Sequence, residues 1–66
     1  MPTPTLAEFN SENSDRPFVV FDSIVGEYWK DGGFTRNIKE ATVYNNGLTS
    51  QEEVDAAYKG CSLHYV

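Results

Sequence analysis

The chain is 66 residues long and carries a net charge of −5, from ten Asp and Glu against five Lys and Arg, with a single cysteine. A chain of this length forms one domain that buries only about 60% of its unfolded surface, and one thiol closes no internal disulfide to staple it. The acidity disfavours nucleic acid and anionic membrane as direct partners, because both demand a cationic face.

Residues 1–16 are rich in Pro, Thr, Ser, Asn, Asp and Glu, with Leu6, Ala7 and Phe9 as apolar anchors. Thr5 and Glu8 have the spacing of a capping box, which predicts one helical turn carrying those anchors. "NSENSDRP" then reads as loop. The segment is expected to be a loosely held arm, with Phe9 as the residue able to dock on the core. Residues 17–66 are expected to form the single folded domain. No basic residue leads an apolar run here, so no signal peptide is expected. The longest apolar stretch, Phe18-Val19-Val20-Phe21, is too short to cross a bilayer. A single thiol fits a reducing interior, and the expected location is the cytoplasm of a host cell.

"FVVFD", Phe18 to Asp22, has the β-branched and aromatic content of a strand. Beyond it stand two readings: one bent strand reaching Lys30 with Gly26 as a bulge, or a hairpin whose second arm is Glu27 to Lys30. Asp22, Ser23 and Gly26 are turn residues although Ile24 and Val25 are not, and the hairpin is preferred. Asp31-Gly32-Gly33 marks the next turn, where glycine supplies positive φ. Trp29, Phe34 and Ile38 are expected to drop onto the core, since large aromatics give a small core its area. Asn37 with Glu40 forms an N-cap pair around a single helical turn, with Ile38 and Ala41 facing inward. Thr42 to Asn45 alternates and is β-prone, which predicts the third strand, followed by a turn at Asn45-Asn46-Gly47.

The best-specified element is "LTSQEEVDAAYKG". Thr49 with Glu52, and Ser50 with Glu53, both have capping-box spacing. Glu52, Glu53 and Asp55 occupy the first turns, where the helix dipole favours negative charge, and Lys59 and Gly60 close the helix. Val54, Ala57, Tyr58 and Cys61 fall on one apolar face. The final "CSLHYV" alternates as a closing strand, with Cys61, Leu63 and Tyr65 on one side. The expected fold class is α+β: a small antiparallel sheet of about four short strands, in the order ββ–short α–β–α–β, with one main helix packed on it.

Catalytic chemistry is not expected. Cys61 and His64 lie three apart on a strand and so point to opposite faces, a poor arrangement for a nucleophile and its base. Zinc needs about four Cys or His ligands and the chain has two. Asp22, Glu27 and Asp31 lack the spacing of a calcium loop, and Asp31-Gly32-Gly33 lacks the lysine and helix of a phosphate cradle. No metal or cofactor is expected. Trp29, Lys30, Phe34 and Arg36 interleave rings and cations as single-strand binders do. Glu27 and Asp31 within the same stretch oppose that use.

"GEYW…GGFTRNIKEATVY…TSQEEV" resembles a pattern found in short orphan proteins of bacteriophages and other mobile elements. The positions that carry the resemblance are Gly26, Tyr28, Trp29, Gly33, Phe34, Thr35, Asn37, Ile38, Ala41, Tyr44 and Glu53, over roughly residues 26–58. Small acidic proteins of that kind are similar in size and charge to anti-CRISPR proteins, several of which bind a Cas subunit and block access of DNA. The resemblance implies that class. It carries over no binding residues, because these families share no site motif.

The functional expectation is therefore a phage-type inhibitor that presents carboxylates to a basic surface of a host protein or nucleoprotein complex, as a monomer or weak homodimer. Glu52, Glu53 and Asp55 on the capped helix, with Glu40 as a neighbour, form the first candidate contact. Asp22, Glu27 and Asp31 on the hairpin form the competing patch. The alternative is a structural or dimerising module whose acidity serves solubility alone.

Overall fold

The structure is a computed structural model that describes residues 3–66; Met1 and Pro2 of the expected arm lie outside the described residues. The elements run α1 (Leu6–Asn13), β1 (Phe18–Asp22), β2 (Glu27–Lys30), β3 (Gly33–Thr35), a 3-10 turn (Ile38–Glu40), α2 (Gln51–Ala57) and β4 (Cys61–Tyr65). The four strands form one antiparallel sheet in the order β3-β2-β1-β4. The class is α+β, as the sequence predicts.

β1 is the centre of the sheet because its residues bury on both faces. Phe18, Val19 and Val20 are fully buried. Phe18 and Val20 face the helices, where they join Phe9, Leu48, Val54 and Ala57 in the core, with Leu6, Trp29, Tyr44, Cys61 and Leu63 packed around them. The chain after β1 takes the hairpin path. The Asp22 carboxylate accepts from the backbone N–H groups of Ile24 (3.0 Å) and Val25 (3.3 Å), and the Gly26 N–H returns to the Asp22 carbonyl at 2.7 Å. One aspartate thus builds a turn in which Ile24 and Val25 serve as little more than spacers. Ile24 is left 77% exposed.

The arm expected before Pro17 is instead the docked helix α1. Its capping box is complete, with Thr5 Oγ1 accepting from the Glu8 N–H at 3.2 Å and Glu8 Oε1 accepting from the Thr5 N–H at 2.9 Å. Phe9 lies in the core, edge-on to Phe18 and Tyr58. The Asn10 amide clamps the backbone of Leu48, donating to its carbonyl (2.9 Å) and accepting from its N–H (2.8 Å). Gln51 reaches from α2 to the Leu6 N–H and the Pro4 carbonyl. The helix is held by a buried ring and side-chain amides, so its polar composition misrepresents how firmly it is seated.

The third strand also lies elsewhere than expected. Gly32 takes φ +84°, and the chain reverses so tightly that Gly33–Thr35 pairs at once with β2, setting Phe34 opposite Trp29. Thr42 to Tyr44 follows between the splayed ends of β1 and β2. The Thr42 N–H donates to the Trp29 carbonyl (3.1 Å), and Tyr44 makes a single bridge with Phe18. Ala41 is buried as expected, but Ile38 (41% exposed) and Phe34 (48%) are not core residues. The 3-10 turn is too short to bring Ile38 inward. Phe34 sits on an edge strand.

Candidate functional site

A groove of about 500 Å³ opens between α2 and the β2–β3 hairpin. Trp29 enters it from β2, Phe34 from β3 and Tyr44 from the inserted segment, with Trp29 and Tyr44 edge-on at 6.5 Å between centroids. α2 supplies the opposite wall through Ser50, Glu52, Glu53 and Ala56. Lys30, Gly32 and Gly33 form the hairpin rim.

α2 is placed by its own start signal. Ser50 is the N-cap and accepts from the Glu53 N–H at 3.2 Å. Glu53 Oε1 accepts in turn from the N–H (2.8 Å) and hydroxyl (2.6 Å) of Thr49. Glu53 therefore caps the helix and lines the groove at once. Glu52 is exposed, and neither carboxylate has a Lys or Arg partner among the described residues. The Tyr44 hydroxyl is held above its ordinary pKa by burial first, then by the charges of Glu53 and Asp31. Burial is the larger cause, and the two carboxylates add to it in the same direction.

The other sequence candidates divide. Asp55 sits one stripe round the helix and accepts from Gln51 Nε2 at 3.2 Å, on the side that meets α1. Glu40 reaches the groove only through Lys30, with Nζ to Oε1 at 3.8 Å. Asp31 is exposed at the tip of the hairpin, its N–H donating to Thr42 Oγ1. Asp22 is engaged with its own turn, and Glu27 pairs with Arg36 at 3.5 Å. The structure thus brings Glu52 and Glu53 together, keeps Asp31 and Glu40 near, and sets Asp55, Asp22 and Glu27 apart. The same ion pairs occupy Lys30 and Arg36, two of the cations that a stacking platform for single strands would need. Tyr44 and the exposed Phe34 are the groove residues that sequence reasoning misplaced. A third strand assigned to Gly33–Thr35 would have set Phe34 beside Trp29.

Cys61 and His64 face opposite sides of the sheet. Cys61 packs at the core and its thiol donates to the Ala56 carbonyl at 3.5 Å. Burial, followed by the neighbouring Asp22, pushes the thiol up to about 11, so it stays protonated at neutral pH. His64 lies on the far face against Phe21 and Tyr28, with centroids 6.1 and 6.0 Å away. Among the described residues, no three of His, Cys, Asp and Glu gather to hold a metal ion, and no helix is long and apolar enough to cross a membrane. Compared with known protein families, curated proteins and solved structures, the chain matches none.

Proposed function

We propose that this chain is a non-enzymatic binding protein that presents the carboxylates of α2 to a basic surface of a partner protein. The observation that carries this reading is the pairing of Glu52 and Glu53, without cationic partners among the described residues, along a groove floored by Trp29, Phe34 and Tyr44. Carboxylates on a short capped helix are already ordered, so binding costs less entropy than with a flexible arm. The finer reading is a phage-type inhibitor of the anti-CRISPR kind, which keeps nucleic acid off a Cas subunit. It draws its support from the small size, the acidity and the resemblance in residues 26–58.

The test is capture from a bacterial lysate by the tagged chain at low and high salt, with Glu52→Lys as the control. The expected partner carries a nucleic-acid-binding surface and loses affinity steeply with salt. It should bind the variant at least about tenfold more weakly. A partner retained equally by the folded variant would move the contact off α2. One specific feature favours the second reading, a dimerising module. β4 is an edge strand whose five residues, Cys61–Tyr65, include no Lys, Asp, Glu or Pro to blunt it. Sedimentation of the chain alone separates the two readings, because pairing through β4 gives a dimer that persists at high salt.

A further inference from the structure

We propose that the groove between α2 and the β2–β3 hairpin is a receptor for an arginine side chain of the partner, stacked on Phe34 and Trp29 and held by Glu52 and Glu53. The proposal rests on the reading above that the partner is a basic protein surface, and it names the group that surface inserts.

Three features select the guanidinium. The floor is aromatic, and two of its residues, Trp29 and Phe34, are cross-strand partners that both line the groove. Phe34 leaves 48% of its area exposed at the groove, open to a partner. A planar, weakly hydrated cation gains from lying on such rings, whereas a compact ammonium keeps its water. The chain already makes this contact elsewhere, with the Arg16 guanidinium carbon 4.4 Å above the Tyr65 ring. The wall carries the matching charge. Glu53 gives Oε1 to its Thr49 cap, and its other oxygen has no hydrogen bond among the described residues. Glu52 has none at all among them, and a guanidinium fork reaches two acceptors at once. Lys30 on the opposite rim would repel a cation, but Glu40 stands 3.8 Å from its amine and offsets it. Tyr44 is raised first by burial, and the charges of Glu53 and Asp31 add to it in the same direction.

The experiment is an NMR titration of the full chain, isotope-labelled, with three blocked pentapeptides: Gly-Gly-Arg-Gly-Gly, its lysine analogue and its neutral citrulline analogue. Nona-arginine and nona-lysine are run alongside at low salt. The arginine pentapeptide should shift the Trp29 indole N–H and the Phe34 amide, and the lysine analogue should bind several-fold more weakly. The citrulline peptide should leave both signals in place. Phe34→Ala and Glu52→Gln, each checked for folding by circular dichroism, should each weaken arginine binding by about threefold or more. Equal binding of arginine and lysine, or shifts centred on Asp22 and Glu27, would overturn the groove while leaving the basic-partner reading intact. If neither nonapeptide binds at low salt, that reading falls as well.

Discussion

Phe9→Ala tests whether α1 belongs to the cooperative fold. The ring is 2% exposed and meets Phe18 and Tyr58 edge-on, at 6.2 and 6.4 Å. An aromatic side chain buries roughly 150–250 Å², and at about 25 cal/mol per Å² that is about 4–6 kcal/mol of transfer free energy. Truncations of buried Phe to Ala cost about 3–5 kcal/mol. A domain of this length has a total stability of only about 3–10 kcal/mol. The variant should therefore lose from about a third to all of its stability. α1 has eight residues and would not persist alone in water, so loss of the ring contact should release the helix with it. Urea unfolding followed by Trp29 fluorescence and by far-ultraviolet circular dichroism measures both together. The expected result is a large fall in midpoint, seen identically by the two probes. Deleting residues 1–13 should leave a chain unfolded at room temperature. A folded deletion variant, or a Phe9→Ala unfolding free energy within about 1 kcal/mol of the parent, would refute the docking argument.

The remaining predictions are local. Gly47 is buried at φ +82° with the Asn10 side chain where a Cβ would stand, so Gly47→Ala should destabilise by more than about 1 kcal/mol in the same urea assay. Cys61, its thiol raised to about 11, should react with iodoacetamide at pH 8 far more slowly than the urea-unfolded chain. Because the fold favours the neutral thiol, that contribution is intact below the ordinary value of 9.0 and is lost as pH rises towards 11, which a pH series of urea midpoints will show. Glu8 is held below its ordinary 4.5 by the Thr5 backbone and hydroxyl, so its support for α1 is present above that value and lost as pH falls through the depressed one. Helical signal should decline in acid, less so in Glu8→Gln, which has no charge to lose.

The sequence was most legible where one residue type settles one backbone choice. Ser50 and Glu53 announced α2, Asp22 and Gly26 announced the first hairpin, and the run from Phe18 to Val20 announced the central strand. Each signal is local, even where the pairing it leads to is not, as in the register of β1 with β4 from Phe18 and Tyr65 to Asp22 and Cys61. The errors have the opposite character. α1 is polar along most of its length and is fixed by Phe9 and by Asn10, whose partner Leu48 is thirty-eight residues away. No periodicity encodes such a clamp. Thr42 to Tyr44 has strand composition, yet it fills the gap where β1 and β2 diverge and finds only a bridge. Strand propensity measures fit to a pleated, half-covered surface, and both Gly33–Thr35 and Thr42–Tyr44 fit one. Pairing went to the segment that the Gly32 turn delivered first.

The site was legible only as chemistry, because the acids of α2 answer to two demands at once. Capping and the helix dipole account for a carboxylate in a first turn without any partner. From the sequence, Glu52 and Glu53 satisfy that account equally, since Thr49 and Ser50 offer each a cap at the same spacing. The structure divides the roles. Ser50 is the N-cap, and Glu53 bonds back to Thr49, so the helix start is satisfied by these residues alone. Glu52 is left over. It adds to an already negative chain and makes no hydrogen bond or ion pair among the described residues, while standing beside rings that the fold leaves partly uncovered. Asp55, the acid least explained by capping, spends its charge on Gln51 and through it on α1. Glu52→Ala should therefore leave the stability within about 0.5 kcal/mol of the parent, whereas Glu53→Ala should lower it by about 1 kcal/mol as the bonds to Thr49 are lost. If both variants destabilise equally, Glu52 is structural after all, and the groove loses the one carboxylate that the fold does not use.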